Sequence, residues 1–227
     1  MTYPSTGHVE PGGASAIRTV TLPEGVEVEM RKFSVGPMDN NAYLLVCGGQ
    51  ALLIDAANDA ERILEEIGRD SGPGAQAGVT VTTILTTHGH GDHWQALDQV
   101  AGATGAEVVF HSADASMIPR SADRHVEDGD TLAFGDAHVT LIHNPGHTPG
   151  SISVLLGDRH LFTGDTLFPG GFGRTQNEEE FEAIVRFGTE RLFDVLSDDC
   201  WVYPGHGDDT TIGAERPHLN EWRQRGW

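Results

Sequence analysis

Apolar positions recur along the chain with a period of two in some stretches and about 3.6 in others, and the switches between the two mark out strands and helices. Val26 to Val35 contains Val-Glu-Val-Glu-Met, an alternation that predicts a half-exposed strand. Ala42–Cys47 and Ala51–Ile54 are apolar runs joined through Gly48-Gly49 and predict a hairpin. Asn58 then stands where it would cap a helix with Ala60, Ile63, Leu64 and Ile67 along one face. Val79–Leu85 is β-branched and predicts a buried strand, a helix is expected from near Asp92 to before Gly105, and Glu107–Phe110 reads as a strand. In the second half Val139–Ile142, Ile152–Leu156 and His160–Phe162 predict strands. Glu178–Leu196 is expected to be the longest helix, with Phe181, Ile184, Val185, Leu192, Val195 and Leu196 on one side. Trp201–Tyr203 reads as a last strand and the tail from Glu215 as helical. Strands in both halves with helices between them predict two sheets packed face to face, with helices outside.

Composition narrows this picture. Residues 1 to about 17 are rich in Gly, Pro, Ser and Thr and are expected to be mobile; 18–227 should form one domain, because no Pro-rich linker divides them. With 38% hydrophobic and 21% charged residues, the chain reads as an ordinary soluble globular protein. No run approaches the roughly 20 apolar residues of a membrane helix, and no basic-then-apolar leader opens the chain. Cys47 and Cys200 read as buried packing residues in a reducing compartment, so a cytoplasmic location is expected. A formal net charge of -20 disfavours nucleic acid as a partner and leaves a small-molecule substrate.

Seven of the 12 histidines, His8, His111, His125, His138, His143, His160 and His218, are scattered and need no functional reading. The other five stand in motifs. Thr87-His88-Gly89-His90-Gly91-Asp92-His93 directly follows a predicted buried strand. On a helix, His88 and His90 would face different sides, whereas on a loop they can share a cation, with Gly89 and Gly91 letting the backbone curl around it. Asp92 and His93 would then aim at a second cation where the next helix begins. A polar strand-to-helix turn is the bland alternative, and three histidines and an aspartate within His88–His93 make it a poor one. Asn144-Pro145-Gly146-His147, Phe162-Thr163-Gly164-Asp165 and Tyr203-Pro204-Gly205-His206-Gly207 each end a predicted strand with one potential ligand. Singly they are weak signals that ordinary turns would satisfy. As a set of four in this order they are specific, and strand C-termini could bring them to one edge.

These motifs, from roughly Phe33 to the end, resemble the metallo-β-lactamase superfamily and within it the glyoxalase II-like branch of short bacterial proteins. The resemblance implies a four-layer αββα sandwich of the α+β class. It implies one divalent cation held by His88, His90 and His147, a second held by Asp92, His93 and His206, and Asp165 bridging both. Zinc is the metal expected first, with iron or manganese as the other choices. Asp55 matches the family's early aspartate, which supports the metal loop from behind; a helix-capping or turn role has equal weight for it. Gly173-Arg174-Thr175 matches a family Gly-Arg-Thr, and Arg174 would either bind a substrate carboxylate or pin its glycine-rich loop, the second being preferred. Many relatives follow that motif with an acidic residue; this chain has Gln176.

The implied chemistry is hydrolysis by metal-bound hydroxide, with Asp92 orienting it or accepting its proton. Thioesters are the expected substrates, since a thiolate leaves without a proton and no further general acid stands out. Glutathione thioesters are expected to be poor ones, because the larger enzymes' added helical domain is missing and Lys32 is the only lysine. The rival within enzymes is a persulfide dioxygenase with one iron on His88, His147 and Asp165. Lactonase and β-lactamase activities stay open, and a non-catalytic metal-binding module is the alternative outside enzymes.

Overall fold

A computed structural model describes residues 6–69 and 78–226. Its first sheet has seven strands in sequence order: β1 (Ala16–Thr21), β2 (Glu27–Val35), β3 (Asn40–Cys47), β4 (Gln50–Ile54), β5 (Thr80–Leu85), β6 (Glu107–His111) and β7 (Arg124–Val126). β1 to β4 pair antiparallel, and β4 to β7 pair parallel. The second sheet is built from β8 (Thr131–Phe134), β9 (Ala137–His143), β10 (Ile152–Leu156), β11 (His160–Gly164), β14 (Trp201–Pro204) and β15 (Thr210–Thr211). β12 (Leu167–Phe168) and β13 (Gly171–Phe172) form a small separate ribbon.

Side-chain alternation explains the layers. On β3, Leu45 faces the second sheet while Leu44 faces outward; on β4, Leu52 and Leu53 divide in the same way. The inward residues meet Phe134, Val139, Val154 and Phe162 in a core between the sheets. The outward ones pack under α1 (Ala60–Gly68) and α2 (Leu97–Thr104). On the far face of the second sheet, Leu161 and Val202 pack with Ile184 and Val185 of α3 (Glu178–Gly188), with Ile212 of the short α4 (Ile212–Glu215), and with Trp222 of α5 (Leu219–Arg225). The result is the expected αββα sandwich, in which each sheet buries both faces.

Several local expectations are corrected. Asp59, not Asn58, caps α1: its carboxylate accepts from Arg62 N at 3.3 Å, while Asn58 Oδ1 accepts from Asp59 N at 2.7 Å. The helix expected from Asp92 is only a 3-10 turn over Gly91–His93, and α2 starts at Leu97. The long helix from Glu178 ends at Gly188 and passes into a single wide π turn, Thr189–Phe193; Val195 is 70% exposed rather than on the apolar face. In the segment read as mobile, residues 1–5 lie outside the described residues, but Ala16 and Ile17 already pair with Lys32 and Arg31, and Val9 is buried.

Buried His160 opens β11 with its Nδ1 2.9 Å from the Tyr203 hydroxyl, and burial pushes its pKa down to about 4. The folded value lies below the unfolded one, so the unfolded chain takes the proton first as pH falls. Stability from this group is complete above about pH 6.5 and is lost as pH drops toward 4, by at most ~3 kcal/mol. Urea midpoints measured from pH 7 to 4.5 should therefore fall more steeply in the native chain than in His160→Gln; parallel curves would contradict this.

Candidate metal centre

β4, β5, β9, β11 and β14 end at the same edge of the sandwich. β4 and β5 run parallel, as do β11 and β14, while β9 and β11 both run antiparallel to β10. Their C-terminal loops carry Asp55, His88 to His93, His147, Asp165 and His206, and these side chains converge. Three groups have donor atoms within 4.8 Å of one another: His88, His90 and His147; His88, His93 and Asp165; Asp92, His93 and His206. Each could hold a cation. Asp165 lies between the first and last groups, its Oδ2 3.6 Å from His147 Nε2 and 3.4 Å from His206 Nε2.

The imidazoles are aimed by hydrogen bonds on their outer nitrogens. His93 Nδ1 donates to Asp55 Oδ2 at 2.8 Å, His147 Nδ1 to Arg174 O at 2.7 Å and His206 Nδ1 to Met38 O at 2.9 Å. A relay orients His88: its Nδ1 donates to Thr87 Oγ1 at 3.1 Å, and that hydroxyl donates to Asp55 Oδ2 at 2.8 Å. The Nε2 atoms of these four rings are thereby turned toward the cluster. His90 meets His147 through Nδ1, at 2.8 Å from its Nε2.

Asp55 is more than a turn residue. It is 1% exposed, sits at φ 59°, and accepts from Thr87 N at 2.7 Å as well as from Thr87 Oγ1 and His93. Few non-glycine residues adopt this left-handed conformation, aspartate more readily than most.

Carboxylates dominate the electrostatics. Burial works to lower His93, but Asp165 and Asp55 outweigh it and raise its pKa well above the ordinary imidazole value. Burial also works to lower His206, and its hydrogen bonds to Asp165 and Asp92 raise it instead to about 10. Burial keeps His88 well below the usual range and lowers His147. The hydrogen bond with His206 holds Asp92 far below the ordinary carboxylate value; Asp165 is also held low, because His93 and His206 overcome its burial. The cluster thus draws positive charge to itself. Among the described residues His88 Nε2 and Asp165 Oδ1 are buried with no hydrogen-bond partner, although His93 Nε2 approaches Asp165 Oδ1 to 3.4 Å, and donor atoms of a metal site have this character. The donor set fits divalent cations.

Two supporting residues escaped the sequence reading. Asn40 Nδ2 donates to Asp92 Oδ2 at 3.0 Å. Asp114, 1% exposed, accepts from Gly89 N and Gly150 N at 2.7 Å and from Thr148 Oγ1 at 2.6 Å, so one carboxylate ties the His88–His90 loop to the His147 loop. Their only local signals were polar residues beside strands. The glycines also act differently from expectation. Gly89 has no positive φ; its importance is contact, since a Cβ there would meet Met117 at 2.7 Å. The tightest approach is at Gly173, where a Cβ would stand 1.7 Å from Asp165 O, and at Gly205 a Cβ would stand 2.3 Å from Asp165 Oδ1.

The model of the metallo-beta-lactamase superfamily matches residues 35–211. A protein of Bacillus subtilis named "Probable metallo-hydrolase YqgX" is 32% identical over 218 residues, covering 85% of this chain and 98% of that one. "Hydroxyacylglutathione hydrolase GloC" of Haemophilus influenzae is 30% identical over 193 residues, covering 75% and 87%. Among solved structures, ETHE1 from Myxococcus xanthus superposes with a TM-score of 0.73 at 32% identity, covering 84% of this chain and 82% of that one.

Asp114→Asn would set an amide NH₂ against main-chain donors. Losing a charged acceptor shared by buried donors should cost about 3 kcal/mol and loosen both loops at once. Thermal unfolding read beside chelator competition should show a lower Tm together with weaker cation retention; an unchanged Tm would count against the tie.

Proposed function

The chain belongs to the metallo-β-lactamase superfamily, and on that premise we propose that it hydrolyses thioesters of small thiols with two divalent cations at the strand-end cluster. The observation that carries this reading is the pair of donor groups, His88/His90/His147 and Asp92/His93/His206, with the Asp165 carboxylate between them. Zinc suits such imidazole and carboxylate donors, and iron or manganese could occupy the same set. When bound, such cations polarise a carbonyl and lower the pKa of water at the site toward ~7.

The chain's own residues supply orientation. Asp92 remains a carboxylate, fixed by Asn40 Nδ2 and facing His206 Nε2 at 3.4 Å, so it can accept a hydrogen bond from the attacking water and hold its direction. The leaving thiolate requires no proton, which agrees with the lack of a further acid among the named site residues.

Beside the cluster lies an open pocket of about 440 Å³ lined by His147, Asp165, Phe168, Phe172, Arg174 and Arg225, among others. Two arginines line it in a chain of net charge -20. For Arg174 we propose the substrate role rather than the loop-pinning one. The main chain fastens that loop, through Arg174 O to His147 Nδ1 at 2.7 Å and Gly173 N to Thr166 O at 3.1 Å. No side-chain hydrogen bond or ion pair of Arg174 is found among the described residues. We therefore assign its guanidinium to a substrate carboxylate. The argument against glutathione thioesters weakens too. The Haemophilus influenzae relative, whose name gives hydroxyacylglutathione as its substrate, is covered over 87% of its length, so an added domain is no prerequisite for that substrate.

Native protein should carry two equivalents of metal and cleave S-acyl thioesters without consuming oxygen, as followed by ultraviolet absorbance beside an oxygen electrode. Lactoylglutathione belongs in the panel. His206→Ala should lose one equivalent and most turnover; full metal content with full turnover would sink the dinuclear reading. Oxygen uptake with a persulfide and no thioester cleavage would replace it by the single-iron dioxygenase.

Arg174→Ala should raise KM about tenfold or more for a carboxylate-bearing thioester, the worth of one charge-assisted pair. Tm and the KM for an uncharged thioester should stay unchanged. A drop in Tm with unchanged KM would return Arg174 to the loop-pinning role.

A further inference from the structure

Lys32 is the only lysine in the chain, and it is spent in the interior. Its side chain and that of its partner Asp209 are both 0% exposed, with Nζ 2.7 Å from Oδ1. Buried ion pairs seldom stabilise a protein more than apolar residues of the same size, because both charges lose their water. This pair is saturated with further bonds. Lys32 Nζ also donates to Gly7 O at 2.8 Å and Gly207 O at 2.7 Å, which uses all three ammonium protons. Asp209 Oδ2 accepts from Thr6 N at 2.8 Å, Thr6 Oγ1 at 2.5 Å and Gly7 N at 3.0 Å.

The location of these bonds matters more than their number. They fasten residues 6–7 across residues 207–209, immediately after His206. Gly207 follows His206 with φ 66°, a joint with no side chain of its own to restrain it. Its carbonyl is held instead by Lys32 and, at 3.1 Å, by Asn41 Nδ2. The strap continues at His8, whose Nδ1 lies 3.4 Å from Asp208 and whose Nε2 lies 3.4 Å from Asp39. Asp39 follows Met38, the residue whose carbonyl accepts from His206 Nδ1. His206 therefore stands between two loops, 36–39 and 205–209, and residues 6–8 contact both.

We propose that Lys32 and Asp209 are positioning residues for His206, acting through a strap of residues 6–8 that clamps its loop against the cluster. The proposal rests on the dinuclear reading, since His206 belongs to the group of Asp92 and His93 and not to that of His88, His90 and His147. The clamp should accordingly govern one cation and leave the other alone, which general structural support would not do.

The test is a chelator-competition titration with zinc on native protein, Lys32→Met, Asp209→Asn and Thr6→Pro. The last removes both Thr6 donors while leaving the ion pair in place, so it decides the matter if the buried-charge variants fail to fold. The weaker of the two zinc affinities should fall about tenfold or more, the usual effect of losing a group that orients a ligand, with the tighter one unmoved. Amine-reactive labelling of Lys32, read by mass spectrometry, should be slow in native protein and faster in Thr6→Pro. Native affinity at both sites in folded variants would overturn the clamp alone, as would an equal loss at both. Native protein that binds one equivalent would overturn the dinuclear reading and the clamp with it.

Discussion

The Asp55 carboxylate joins the parts on which the site depends. It ends β4, holds the start of the β5 loop through Thr87 N, orients His88 by way of the Thr87 hydroxyl and receives His93 Nδ1 directly. One buried anion thus sets two rings and the main chain between them. Buried carboxylates of this kind survive only when their lone pairs are filled, and here donors fill both oxygens. The left-handed backbone at Asp55 is the local cost of putting the carboxylate there.

Asp114 repeats the same device between the His88–His90 loop and the His147 loop, and Asp209 repeats it at the loop of His206. In each case an anion accepts main-chain N–H groups that lie far from it in sequence. Loops that carry ligands have no ladder of their own to hold them, so they are held from behind by buried charge. The arrangement also separates two tasks. Asp92 and Asp165 face the cluster and draw positive charge into it, whereas Asp55, Asp114 and Asp209 fix geometry. Acidic residues are abundant in a chain of net charge -20, and these five are among those the fold places around the site.

The side chains that converge at the strand ends were legible in the sequence because each sits in a short motif where glycine, proline and histidine stand out locally. The sheets were legible for a related reason: the alternation that opens β2 and the short apolar runs of β3 and β4 need no partner to be seen. What the sequence concealed is long-range. Asp114 looks like any polar residue after β6, and its partners lie 25 to 36 positions away. Lys32 and Asp209 lie 177 positions apart. β1 is an edge strand with one fully buried position, so its pattern is faint. The cap at Asp59 rather than Asn58 is a one-residue choice between two good capping residues. The π turn at Thr189–Phe193 interrupts a helical period that continues in the sequence beyond it.

The cluster also ties folding to its contents. Among the described residues His88 Nε2 and Asp165 Oδ1 are buried with no hydrogen-bond partner, and the carboxylates raise His93 and His206 by drawing protons to them. Raised imidazoles beside depressed carboxylates are mutually stabilising charges, so at this edge protons supply the same kind of attraction that a divalent cation would. A cation that binds the folded site, and binds the unfolded chain poorly, stabilises the fold by RT ln(1 + [L]/Kd), about 4 kcal/mol at a thousandfold excess over Kd. The same ion would satisfy the buried nitrogen and displace the protons. Cation binding and the integrity of this edge of the sandwich are for that reason one equilibrium. The anchors at Asp55, Asp114 and Asp209 act in it by keeping the donors together before the ion arrives, so that less of the binding energy goes into ordering loops.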